Sequence, residues 1–262
     1  MPIDICLPQG NEDELLARAK QLGYSEVVFL YPFRSRGEIL DTKEKLRKLF
    51  LAKENPKDFP LEKKKFPKVK IGTYILTNKA NDLKKLPNVY LDSDLIAVQT
   101  FAENVVRSAA TNPRIDVIFG ITTSGGREHL EYRRSNLNAI VVNIMKDNKI
   151  SYGLSFAHLL AAKGSGNYSS SPLAKILGRE MQNIRLSRRK IPIIAASFAQ
   201  EPSQMRIPEN LSAVGRVLGL NFPQSKAAIS QNIENILKRK EQRRSKEFVR
   251  PGVRLVEQNL KD

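Results

Sequence analysis

Residues 193–220 read "IIAASFAQEPSQMRIPENLSAVGRVLGL". The stretch begins as a buried strand and ends as an amphipathic helix. The turn between them carries Ser197, Gln200, Glu201, Ser203, Gln204 and Arg206. A strand apolar on successive residues, followed by a helix, is the repeating unit of folds built on a parallel sheet. In such folds the turn after the strand is where catalytic groups collect.

The same unit recurs along the chain. Short Val/Ile-rich runs predict strands at Ile3–Leu7, Val27–Tyr31, Lys68–Leu76, Leu95–Thr100, Asp116–Ile121, Asn138–Ile144 and Ile191–Ser197. An eighth strand is not obvious. Helical patterns fall between them. Asn11 can cap the first helix, with Glu12, Asp13 and Glu14 in its first turn and Gly23 at its end. Others are "DTKEKLRKLF", "FAENVVRSAA", "SFAHLLAA" and "SPLAKILGREMQNI". The alternation leaves two architectures, a closed β/α barrel and an open doubly wound sheet. Seven evenly spaced strands fit the barrel better, and no G-x-G-x-x-G follows the first strand. The fold expected is a single α/β domain, an imperfect TIM-like barrel, over residues 1–237. A basic insertion at about 43–70 and a basic extension at 238–262 complete the chain.

Composition limits function. The 262 residues are 41% hydrophobic, enough for a sizeable core. No apolar run is long enough to span a membrane, and "MPIDICLPQG" lacks the basic-then-apolar order of a signal peptide. Cys6 is the single cysteine, which suits a reducing cytosol. Charge is the strongest signal. Forty-four Lys and Arg against 27 Asp and Glu give a net charge of +17, a surface that attracts polyanions. The excess is clustered. Residues 43–70 hold 11 basic and 4 acidic residues. "RLSRRK" supplies Arg185, Arg188, Arg189 and Lys190. Residues 238–250 supply Lys238, Arg239, Lys240, Arg243, Arg244, Lys246 and Arg250 against two acidic residues. With Lys226, the two latter clusters are the candidate phosphate contacts, since guanidinium pairs bidentately with phosphate. The competing reading is a solvated, frayed helix end.

Catalytic chemistry is mostly missing from the pattern. Two histidines, His129 and His158, cannot build H-x-H or H-E-x-x-H, so neither a catalytic residue nor a metal site is assigned. "SGG" at 124–126 and "GSGNYSSS" at 164–171 resemble phosphate loops only in composition. Ser197 has no evident histidine partner, which argues against a hydrolase nucleophile.

Residues 193–240 carry a more specific pattern: a strand ending in Ser197, a turn, Arg206-x-Pro208, a helix ending at Gly219, and a helix holding Lys226, Ala227, Ala228 and Ser230 before a basic end. This resembles the roughly thirty-kilodalton, TIM-barrel-like protein subunit of archaeal and eukaryotic ribonuclease P. "IDICLP", "AKQLGYSEVVF" and "NAIVVNI … ISYGLSFAHLL", with Asn143, extend the resemblance over nearly the whole chain. Ala196 departs from it, standing where relatives often carry a second serine.

The resemblance implies a barrel shaped like the polymerase-and-histidinol-phosphatase phosphoesterases without their metal-binding histidines. It implies a protein that folds and positions a catalytic RNA, which uses its own Mg²⁺ to remove the 5′ leader of precursor tRNA, so the chain itself binds no cofactor. It implies a small partner protein of RNA-recognition-motif-like fold beside the RNA and precursor tRNA. The location expected is the cytoplasm, or the nucleus or nucleolus for a eukaryotic source. Ser197 and Arg206 then form a structural clasp or a phosphate contact rather than an active site. A barrel phosphoesterase or nuclease acting alone is the alternative.

Overall fold

The computed structural model describes residues 1–33, 41, 44, 66–89, 92–123, 135–162 and 171–245, with only the backbone at 85, 87–89, 248–250 and 253–254. Seven strands pair in chain order, each parallel to the next: β1 (Ile3–Cys6), β2 (Glu26–Pro32), β3 (Lys68–Leu76), β4 (Ile96–Gln99), β5 (Val117–Phe119), β6 (Ser151–Ser155) and β7 (Ile193–Ala196). Helices follow the strands: α1 (Glu12–Gln21), α2 (Glu103–Ala110), α3 (Ala139–Asp147), α4 (Phe156–Ala161), α5 (Pro172–Ser187), α6 (Pro208–Val217), α7 (Phe222–Ala228) and α8 (Gln231–Arg244). A short antiparallel pair, β8 (Phe248–Arg250) and β9 (Val253–Arg254), comes after α8.

Strand alternation sorts the core into two layers. Ile3, Ile5, Val28, Leu30, Ala97, Val117, Phe119, Ile194 and Ala196 fill the barrel interior together with Ile233, Ile236 and Leu237 of α8. Their strand neighbours Val27, Phe29, Val98, Ile118, Tyr152 and Ala195 face the helices outside. The interior is too narrow for a side chain at every inward place. A Cβ on Gly72 would lie 2.5 Å from the Leu95 carbonyl oxygen, and one on Gly153 would lie 2.8 Å from Phe119 Cβ. Only glycine lets these strands approach.

The barrel closes without an eighth strand among the described residues. Between β7 and β1 the ladder shrinks to one parallel bridge, Cys6 with Ala199, where the Leu7 N–H donates to the Ala199 carbonyl at 2.8 Å. Helices α6 and α7 pack against β7 beside this gap.

Three sequence expectations need correction. Residues 138–144 form the start of α3, not a strand. The Asn138 side chain accepts the Val141 N–H at 2.9 Å, and Val141, Val142 and Met145 turn one face inward. The sixth strand is instead Ser151–Ser155, so Asn143 lies on a helix. Asn11 does not cap α1 through its side chain. Its amide donates to the Gln200 carbonyl at 2.9 Å and ties the first loop to the turn after β7. Finally, the boundary expected after Leu237 falls inside α8, which runs on to Arg244. The 43–70 insertion lies outside the described residues apart from Glu44 and residues 66–70, where Lys68 and Lys70 belong to β3. His129, "SGG" and most of "GSGNYSSS" also lie outside them.

Candidate functional site

Ser197 is the last link of the barrel wall. Its N–H donates to Asp4 Oδ1 at 2.7 Å, and its hydroxyl donates to Asp4 Oδ2 at 2.7 Å. Asp4 Oδ1 also accepts the Ile5 N–H at 2.9 Å. The Ser197 carbonyl in turn accepts the Ala157 N–H at 2.9 Å. Where β1 and β7 lack a backbone ladder, a carboxylate takes its place. Both residues are fully buried. Burial raises the Asp4 carboxyl to about 6, against the lowering effect of the Ser197 and Ile5 hydrogen bonds. Ser197 is thus bonded into the closing seam, out of contact with solvent.

The next residue blocks the mouth of the barrel. Phe198 holds φ at +47°, a region bulky residues avoid. That backbone turns its ring onto Phe119, with centroids 4.3 Å apart and planes 17° from parallel. His158 also stacks on Phe119, with centroids 6.0 Å apart, and its Nε2 lies 3.0 Å from the Gln99 amide nitrogen. Burial lowers the His158 pKa to about 4, so the imidazole is neutral at physiological pH. Barrel enzymes keep their chemistry at this C-terminal end of the strands. Here it is packed with rings. Among the described residues no group of three or more His, Cys, Asp or Glu could hold a metal ion.

Arg206 binds its own turn. Its Nη1 donates to the Ser203 and Met205 carbonyls at 2.6 and 2.8 Å, and the guanidinium lies 5.3 Å from the Phe156 ring centre. The Arg206 carbonyl accepts the Tyr24 hydroxyl at 2.7 Å. The residue is half-buried and holds the turn between β7 and α6.

The opposite end of the barrel is closed by α8. Asp116, just before β5, is 1% exposed and receives Lys240 Nζ on Oδ2 and Arg239 Nη2 on Oδ1, each at 3.0 Å. Asp116 Oδ2 also accepts the Ile96 N–H at 2.9 Å. Arg244 pairs with Asp94, and Lys70 with Glu241. Asn232 donates to the Ile193 carbonyl at 2.7 Å. Strand-end acids thus take up Arg239, Lys240 and Arg244 of the last helix, and a strand lysine takes up its Glu241.

A family-wide sequence pattern described as RNase P subunit p30 matches residues 1–245. The chain belongs to the RNase P subunit p30 family. The Ribonuclease P protein component 3 of Methanosarcina barkeri is 24% identical over 263 residues, covering 97% of this chain and 95% of that protein. That of Methanosarcina mazei is 25% identical over 166 residues, or 63% of this chain and 62% of the relative. A chain in the cryo-EM structure of archaeal Ribonuclease P with mature tRNA shares the fold at a TM-score of 0.73 and 19% identity, covering 98% of this chain and 99% of that one. The A. niger ochratoxinase shares the barrel more distantly, at a TM-score of 0.52 and 10% identity over 90% of this chain and 71% of that one.

In this p30-family protein the predicted phosphate contacts divide by place. Lys240 is corrected: it is only 2% exposed and is bonded into the floor of the barrel. Arg239 and Arg244 pair there with Asp116 and Asp94 while keeping part of their surface in solvent. Arg243 is half-buried on the same helix. Arg188 also works inside the protein, its Nη1 donating to the Gly219 carbonyl at 2.5 Å. Arg185, Arg189, Lys190, Lys226 and Lys238 face solvent, with Lys190 bonded to Asn143 Oδ1 at 2.9 Å and Lys238 to Glu234 at 2.6 Å.

A buried polar cluster escaped the sequence reading altogether. Glu180 of α5 accepts the Thr122 hydroxyl and the Tyr152 hydroxyl, each at 2.6 Å. Asn183 donates to that tyrosine oxygen at 3.2 Å, and Arg179 to the Thr122 carbonyl at 3.1 Å. Burial raises Glu180 to about 7, against those two hydroxyl bonds. Glu180 and Asn183 are three apart on an otherwise amphipathic helix, and only that inward placement would have flagged them.

Proposed function

We propose that this p30-family chain serves ribonuclease P as a non-catalytic protein subunit that binds and positions RNA. One observation carries the reading: the barrel end where an enzyme would work is filled by Phe119, Phe198 and His158. Leader removal from precursor tRNA is then the work of the RNA and of Mg²⁺ held by that RNA, not by this chain. The exposed cations Arg185, Arg189, Lys190 and Lys226 lie on α5, its following turn and α7, and would neutralise backbone phosphates without selecting sequence. The partners are ribonuclease P RNA, precursor tRNA and a small protein subunit of RNA-recognition-motif-like fold. The tRNA in the similar archaeal structure supports the first two. No helix among the described residues is long and apolar enough to cross a membrane, and a place in the cytoplasm accords with the single reduced Cys6.

Reconstitution tests this. Ribonuclease P RNA with its other proteins is assayed for leader cleavage at limiting Mg²⁺, with and without the chain. Cleavage should rise on addition, and the RNA-free chain should cleave nothing. Leader removal by the chain alone would instead make it a phosphoesterase.

A further inference from the structure

We infer that Phe222 is a stacking platform for an unpaired base, set in a cation-lined corner between the α5–β7 turn and the α6–α7 turn. This rests on the RNA-binding role proposed above and gives it a location. Phe222 is the first residue of α7 and remains 55% exposed. Lys226 Nζ sits 4.4 Å from the ring centre and the Arg216 guanidinium 6.0 Å.

The corner is rigid. Asn221 and Gln224 form a reciprocal capping box, with bonds of 2.9 and 3.1 Å. The Gln224 side chain donates onward to the Arg188 carbonyl at 2.8 Å, and the Arg188 side chain returns to Gly219. The two turns are therefore locked together by both ends of Arg188. The exposed Arg189 follows on that turn.

Charge decides the occupant. Residues 181–200 carry Arg185, Arg188, Arg189 and Lys190 and no Asp or Glu. Residues 210–233 carry Arg216 and Lys226 and no Asp or Glu. An exposed aromatic ring set among the cations of two adjoining turns matches a single strand: the ring takes a base, and Lys226, Arg216 and Arg189 take its phosphates. An A-form duplex keeps its bases stacked inside and offers no base face along its length, only at its two ends.

The chain contains no tryptophan, so Phe222→Trp introduces a unique reporter. The probes are a short single-stranded oligouridylate, a blunt RNA duplex of equal length, and ribonuclease P RNA. Emission from the Phe222→Trp protein should be quenched by the single strand and by ribonuclease P RNA, and not by the duplex. Phe222→Ala and Phe222→Leu should weaken single-strand binding about 5- to 100-fold with an unchanged salt slope, because stacking releases no counterions. Lys226→Gln should lower that slope by about 0.7. Melting curves should be the same for all variants. Wild-type affinity retained in both Phe222→Ala and Phe222→Leu, or equal quenching by the duplex, would overturn the inference and leave the subunit role standing. Failure of the wild-type chain to bind any of the three RNAs would overturn both. A spectral change produced only by a protein subunit would assign Phe222 to a protein contact instead.

Discussion

The ammonium of Lys240 lies 3.0 Å from the carboxylate of Asp116, with both side chains almost wholly removed from solvent. The pair joins α8 to the start of β5. Burial alone would depress the lysine, and the aspartate opposes that. Removing one partner leaves the other charged and dry.

Asp116→Ala should accordingly destabilise the protein by about 3–5 kcal/mol. Lys240→Met, which keeps the volume and removes one charge of three, should cost less. Truncation after Leu237 removes Arg239, Lys240 and Arg244 together and should abolish cooperative unfolding. Urea titrations followed by far-UV circular dichroism measure all three, and an unchanged midpoint in Asp116→Ala would mean the pair contributes nothing.

Ser197→Ala should cost about 1–3 kcal/mol, since Asp4 loses its hydroxyl partner in a buried seam. Once the protein is folded and assembled, cleavage rates should match the wild type. A variant that melts normally yet fails in processing would give Ser197 a direct role.

Asp4 and His158 should bend the pH profile of stability in opposite directions. The folded Asp4 pKa of about 6 lies above its ordinary 3.8, so folding favours the protonated form. Its contribution is complete below pH 3.8 and is lost as pH rises through 6, a span of about 3 kcal/mol. The folded His158 pKa of about 4 lies below 6.5, so its contribution is present above 6.5 and lost as pH falls through 4. Asp4→Asn should therefore steepen acid destabilisation by exposing the histidine slope, and His158→Gln should flatten it. Denaturant midpoints between pH 4 and 7 for both variants decide this, and parallel profiles would contradict it.

Gly72→Ala should destabilise by at least about 1–3 kcal/mol, because the new methyl meets a backbone carbonyl that cannot turn away. Expression with a normal melting curve would show that β3 and β4 can part.

The barrel was largely legible from its strands. Runs such as Val27–Tyr31 and Ile191–Ser197 are apolar on successive residues because helices cover one face and the barrel interior the other. Residues 138–144 misled for the same reason: "AIVV" carries strand composition, and the cap at Asn138 was the only contrary local signal. The closing seam could not be read. Asp4 and Ser197 meet 193 positions apart, and an aspartate in an apolar strand looks like an exposed edge until its partner is known. The burial of Lys240 could not be read from composition, since the basic residues from Lys238 to Arg244 look alike in sequence. Their fates divide by which face of α8 meets the acids before β4 and β5.

The helix that floors the barrel also sets the order in which the protein can be made. Asp116 leaves the ribosome 123 residues before Arg239. Until α8 emerges, the growing chain would have to bury that carboxylate with no cation near it and to leave the lower interior open. Early strands can pair locally, but the closed barrel becomes favourable only after α8 is synthesised. A chain stalled before that point presents an unfinished apolar lumen, and such nascent chains should be held by chaperones until the floor arrives.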